Sequence, residues 1–189
     1  MKIVDLVPQP ETIHRAAAQL LVDGFRVFAP EAWPTLAAGL EEIQAFIDEA
    51  DERICRAALD DNGQLLGWIG GLSQYDGNAF ELHPLVVRPD AQGQGIGRAL
   101  VLDLEAQVVA HGAQTIYLGT DDEAGLTSLA GADLYPNPLE HLMRIENRRQ
   151  HPFGFYRKLG YTVVGVIPDA NGFGRPDIFM AKRVAPPKD

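Results

Sequence analysis

The chain has one cysteine, Cys55, in 189 residues. An intrachain disulfide framework and a cysteine-rich zinc site are therefore excluded. The five histidines, His14, His83, His111, His141 and His151, show no paired metal spacing, so no metal is expected. Positive charge is scarce: 16 Lys and Arg stand against 26 Asp and Glu, a formal net charge of −10. Such a chain suits neither nucleic acid nor an anionic membrane, and it favours a cationic partner. Apolar runs are short. None reaches the roughly eighteen residues of a membrane-spanning helix. The N-terminal segment, broken by Asp5, Pro8 and Pro10, lacks the apolar stretch of a signal peptide. These absences predict a cytoplasmic protein. Repeats and low-complexity tracts are missing too, and only residues 185–189, with Pro186 and Pro187, read as a frayed tail.

What remains is globular material, 46% hydrophobic and 22% charged, enough for one core at this length. Residues 1–184 read as a single domain. A short strand is expected over 2–7. Ile13, Ala16, Ala17, Leu20, Leu21 and Phe25 recur at helical spacing over 11–28. Pro30 and Pro34 mark a loop, and a second helix fits 35–50. The period then shortens. Strands are expected over 53–59 and 64–72, joined at Asp61-Asn62-Gly63. The run 79–88 reads as a strand containing Pro84, which cannot donate to a ladder and so implies a bulge. A helix over 95–111 buries Ile96, Leu100, Leu104 and Val108. Strand 114–119, helices 138–147 and 152–159, and strands 161–167 and 177–183 complete a mixed α/β order around one central sheet.

Between a strand and a helix lies Gln92-Gly93-Gln94-Gly95-Ile96-Gly97-Arg98. Glycines permit close backbone approach, and a helix start favours an anion. Arg98 stands where a dinucleotide fingerprint needs another glycine, and the Gly-Lys-Ser/Thr of a P-loop is absent. A pyrophosphate on the helix end, with an amide-bearing arm beside an interrupted strand, describes coenzyme A.

The order of elements and Gln92-x-x-Gly95-x-Gly97 resemble the GNAT acyl-CoA-dependent N-acetyltransferases over nearly the whole chain. Longer strings resemble the aminoglycoside 6'-N-acetyltransferases: Glu81-Leu82-His83-Pro84-Leu85-Val86-Val87, Ile116-Tyr117-Leu118-Gly119-Thr120-Asp121-Asp122, Asp133-Leu134-Tyr135, and the stretch from His151 to Lys182 that includes Phe155-Tyr156-Arg157-Lys158-Leu159-Gly160-Tyr161. The resemblance implies a mostly antiparallel central sheet with flanking helices and a splayed strand at the acetyl-CoA site. It implies acetyl-CoA as co-substrate, an aminoglycoside or other polycationic amine as acceptor, a role in antibiotic resistance, and a homodimer.

Carried over residue by residue, Leu85, Val86 and Val87 would hold the thioester and pantetheine arm, with the Leu85 N–H on the acetyl carbonyl. Gln92, Gly93, Gln94, Gly95, Ile96, Gly97 and Arg98 would hold the pyrophosphate, and Thr120 would flank the arm. The acceptor amine must lose a proton before it attacks. Glu81 matches the family's acidic position and is the first candidate for base or substrate anchor; His83, two residues along the same strand face, is the second. Their structural alternatives are a solvated carboxylate and a hydrogen-bonded imidazole. Tyr156 is the candidate proton donor to the leaving thiolate, while Tyr161 and Cys55 read as core. For the cationic acceptor the candidates are Glu81, Asp121, Asp122, Glu123 and Glu140, with Asp121 and Asp122 acting together, and Trp33 and Tyr75 as flat surfaces for sugar rings. Ala124 stands where the resembled family tends to carry a further acid. Two other readings stay open: the same fold acting on a polyamine or peptide amine, and a noncatalytic acyl-CoA-binding module.

Overall fold

The computed structural model describes residues 1–26 and 29–186. The end of the expected first helix at 27–28 and most of the expected tail, 187–189, lie outside the described residues. The chain divides into two compact units, Met1–Ile116 with Val184–Asp189, and Tyr117–Arg183.

The first unit opens with strand β1 (Lys2–Asp5), helices α1 (Glu11–Phe25) and α2 (Leu36–Asp48), and strands β2 (Arg53–Leu59), β3 (Leu65–Gln74) and β4 (Ala79–Val87). The four strands form an antiparallel meander. Thr35 accepts the Ala38 N–H at 3.2 Å and so starts α2. Asp60 accepts the N–H groups of Asn62 and Gln64 at 2.9 and 2.8 Å and shapes the expected turn between β2 and β3. Trp68 is fully buried, and its indole N–H donates to the Ala17 carbonyl of α1 at 3.1 Å. Phe46, Leu21 and Ile43 pack around it, covering one face of the meander. Helix α3 (Ile96–Ala110) covers the other face with the expected stripe of Ile96, Leu100, Leu104 and Val108, all buried. Cys55 is buried here as a small core residue.

Strand β5 (Thr115–Asp121) carries the chain into the second unit. It runs two residues further than the sequence suggests, so Thr120 and Asp121 belong to the strand. Two one-and-a-half-turn helices follow, α4 (Pro138–Met143) and α5 (Phe153–Lys158), both shorter than expected. Strands β6 (Thr162–Ile167) and β7 (Asp177–Arg183) pair antiparallel. Leu129, Leu134, Leu142 and Ile178 make a small core. Tyr161 is buried, as expected for it.

Candidate functional site

Strand β4 carries the first group of candidates. Opposite β3, Leu82 pairs with Gly71 and Leu85 with Ile69. The two residues between, His83 and Pro84, share the single step at Gly70, so the expected bulge falls at Pro84. Gly70 makes it sterically possible: a Cβ there would stand 2.3 Å from the His83 carbonyl oxygen and 2.4 Å from Phe46 Cζ. The extra residue reverses the alternation of side chains along β4. Before it, Glu81 pairs with Leu72, on the face of α1 and α2; after it, Val86 pairs with Trp68 on that same face. Glu81 and His83 therefore share a face, half-buried, while Leu85 and Val87 turn to the other side.

The His83 ring lies 5.5 Å, centroid to centroid, from the indole of Trp33. Trp33 itself is only 7% exposed and meets the Phe25 ring edge-on at 4.7 Å. This corrects the expectation of an open sugar platform at Trp33: the indole fills the core and forms a wall behind His83. Tyr75, the other expected flat surface, is 73% exposed in the turn between β3 and β4.

The second group lies at the start of α3. Gln92 donates its side-chain amide to the Val87 carbonyl at 3.1 Å and ties the turn to the end of β4. Gly93 and Gly95 have φ of 75° and 84°, where side chains other than glycine are strained, and a Cβ on either would meet nothing within 4 Å. Gln92 to Gly95 and Arg98 are exposed, Gly97 is half-buried and Ile96 is tucked into the core. The first-turn N–H groups of a helix have no partner within it. Here no side chain caps them and no acid stands in the first turn. The arrangement is an open, uncapped set of donors at the positive end of a fifteen-residue helix.

In the second unit, Asp121 and Asp122 part company. Asp121 is exposed, and its carboxylate accepts the Asn171 side-chain amide. Asp122, expected beside it as a second acceptor-binding carboxylate, is 1% exposed. Its two oxygens accept the N–H groups of Leu126 at 2.6 Å and Thr127 at 2.8 Å. Neighbouring residues on extended backbone point opposite ways, and the inward one has become the pin of the following loop. Glu123 is half-buried. Glu140 is exposed on α4 and lines a cleft of about 250 Å³ together with His141, Arg144, Glu146 and Arg148. The neighbouring arginines weaken any attraction of that cleft for cations. Thr120 is half-buried near the end of β5.

Tyr156, on α5, is buried between the rings of Phe155 and Tyr161, with centroids at 5.0 and 5.7 Å. Burial pushes its phenol well above the ordinary range, so it holds its proton at all working pH.

Nothing in the residue pattern assigns a role to Asn147, His151 or Asn171. The structure joins all three to the carboxyl end of β5 or to the start of α5. His151 is 1% exposed and contacts the Asp121 carbonyl at 3.0 Å, while Asn147 bonds the His151 backbone on both sides. They sit in irregular backbone, where hydrophobic period carries no signal. Among the described residues no three His, Cys, Asp or Glu side chains gather as a metal site would need, and no helix is long and apolar enough to cross a membrane.

The chain belongs to the acetyltransferase (GNAT) family, whose pattern matches residues 16–161. Its co-substrate is acetyl-CoA. It is similar to a solved aminoglycoside 6'-N-acetyltransferase complexed with coenzyme A, at 39% identity over the whole of both chains and a TM-score of 0.89. The aminoglycoside 6'-N-acetyltransferase from Enterococcus faecium is 40% identical, again with full coverage of both chains, at a TM-score of 0.83. An aminoglycoside 6'-acetyltransferase of type Ii is 35% identical over both full chains, at 0.70. A search of curated protein sequences found no match. The resemblance drawn from the motifs thus holds, and so does the mixed, mostly antiparallel α/β fold.

Proposed function

We propose that this acetyltransferase moves the acetyl group of acetyl-CoA to the 6' amine of an aminoglycoside, by direct attack of the amine, and so inactivates the antibiotic in the cytoplasm. The observation that carries the reading is full-length similarity, at 39 and 40% identity, to two aminoglycoside 6'-N-acetyltransferases. The turn at 92–98 fits the pyrophosphate: its donors are exposed, uncapped and free of neighbouring acid in the helix's first turn. The Leu85 N–H polarises the thioester carbonyl, Val86 and Val87 carry the pantetheine arm, and Thr120 flanks it. Glu81 takes a proton from the acceptor ammonium, directly or through water, or anchors it. Asp121 and Tyr75 contribute to holding the cationic sugar.

Tyr156 serves the leaving group. A thiol has an ordinary pKa of about 8.5 and a phenol about 10, and burial lifts Tyr156 further. Full transfer of its proton to the thiolate is therefore uphill. The phenol instead donates a hydrogen bond to the developing sulfur charge, and the proton that ends on sulfur comes from the acceptor. A charge-assisted bond of that kind is worth about 2 kcal/mol.

Two variants test these roles. Tyr156→Phe should lower kcat by about 10- to 100-fold with the acetyl-CoA KM nearly unchanged; a wild-type kcat removes the donor. Glu81→Gln should slow turnover most at low pH; wild-type rates across pH remove it as base or anchor. A peptide amine is the second reading. The inward turn of Asp122 favours it by taking one carboxylate away from a polycationic acceptor.

A further inference from the structure

His151 is fully buried, and nothing in the transfer chemistry above uses it. Its two ring nitrogens have partners of opposite kind. Nε2 lies 3.0 Å from the Asp121 carbonyl oxygen, which can only accept. Nδ1 lies 3.2 Å from the Phe153 N–H, which can only donate. The partners therefore fix the neutral tautomer, with the proton on Nε2. One partner belongs to the last residue of β5, the other to the first residue of α5. The imidazole thus joins the strand end that carries Thr120 and Asp121 to the helix that carries Tyr156.

The backbone of His151 is held as firmly as its ring. The Asn147 side chain accepts the His151 N–H at 2.8 Å and donates to its carbonyl at 2.9 Å. The His151 carbonyl also accepts the Gly154 N–H at 3.0 Å, in the first turn of α5. The His151 and Phe153 rings lie 5.5 Å apart.

We propose that His151 is a positioning residue for acetyl transfer: its bridge from the Asp121 carbonyl to the Phe153 N–H sets the place of Tyr156 relative to the end of β5. This rests on the reading of Tyr156 as donor to the leaving sulfur. Protonation of the ring would set Nδ1–H against the Phe153 N–H and break the bridge. The charged groups acting on the ring are Asp121 and Asp122, from β5 and the residue after it; on α5 the Arg157 guanidinium lies over the neighbouring Phe153 ring. Burial is the dominant influence and holds the imidazole below its ordinary 6.5, while the Asp121 carbonyl and the two carboxylates oppose it. The unfolded chain then binds a proton more readily than the folded one. The bridge contributes its full stability above 6.5 and loses it as pH falls through the folded value.

The test uses the full chain, acetyl-CoA and a 6'-amino aminoglycoside, with kcat and KM measured from about pH 5 to 8. His151→Leu removes both links and should lower kcat about tenfold with the acetyl-CoA KM within about twofold. His151→Gln supplies an amide N–H for the Asp121 carbonyl without titrating; it should recover most of the rate and show a shallower acid limb than the wild type. In a Tyr156→Phe background, His151→Leu should cost no more than about twofold, since the group it positions is gone. Nitrogen-15 spectra of the wild-type protein should show one histidine in the Nε2–H form, titrating below its ordinary value and lost in His151→Gln. Wild-type kcat in His151→Leu, an unchanged acid limb in His151→Gln, or fully additive losses with Tyr156→Phe would each overturn the proposal. If His151→Leu does not fold, the His151→Gln profile and the tautomer decide it. Failure of the donor reading looks different: Tyr156→Phe alone would run at the wild-type rate, and the inference would fall with it.

Discussion

The turn at 92–98 and the loop at 122–127 both leave backbone N–H groups outside any ladder, and they meet that need differently. In the loop, the chain supplies its own anion. The Asp122 carboxylate, fully buried, accepts from Leu126 and Thr127. At the start of α3 the chain supplies none. No side chain caps the helix, no acid stands in its first turn, and Gly93 and Gly95 leave the approach open. A carboxylate beside amides satisfies a loop from within; amides without one suit an anion from outside. The same contrast separates Asp122, a structural residue, from its exposed neighbour Asp121.

The largest effect should come from breaking the internal case. Asp122→Ala leaves the buried Thr127 N–H and the part-buried Leu126 N–H without their acceptors and should cost about 3 kcal/mol of stability, lowering Tm by roughly 6–12 °C. Acetyl-CoA affinity at a temperature where the variant is folded should stay the same. A thermal scan with an acetyl-CoA titration checks both, and an unchanged Tm would deny Asp122 its structural role. Next, Gly95→Asp converts the open turn into a self-filled one. It should weaken acetyl-CoA binding about fivefold or more by placing like charge near the pyrophosphate, an effect of roughly 1–4 kcal/mol. Gly95→Asn is the control, because asparagine tolerates the same positive φ without the charge; equal losses in both would reduce the effect to backbone strain. The smallest effect is that of Asp121→Asn. One exposed carboxylate and ammonium pair is worth about 1 kcal/mol or less, so the acceptor KM should rise about two- to fivefold, with the difference fading at high salt. A salt-independent change would argue for a loop rearrangement through Asn171 instead.

The legible parts were those with a period or a breaker. Pro84 inside an apolar strand announced the bulge, and the bulge is there because proline cannot donate to the ladder. The α3 stripe and the glycine turn were equally plain. The face reversal along β4 was not, since it depends on which β3 residue opposes the extra one, and Gly70 gives no pattern of its own. Adjacency in sequence suggests Asp121 and Asp122 as a pair. Alternation sends adjacent residues to opposite sides, and the strand had to be seen to reach Asp121 before that rule applied. Trp33 lay in a loop between two prolines, where nothing indicates that its indole fills the space between Phe25 and His83. His151 shows the limit most clearly: its partners are backbone groups, and backbone partners leave no trace in side-chain identity.

Acetyl transfer to a 6' amine is tested by thiol release from acetyl-CoA by the purified protein, with a panel of four acceptors: an aminoglycoside bearing a 6' amine, its counterpart with a 6' hydroxyl, spermidine and a lysine peptide. Release is expected with the 6'-amino sugar alone. Release with spermidine or the peptide, and none with the 6'-amino sugar, would contradict that expectation.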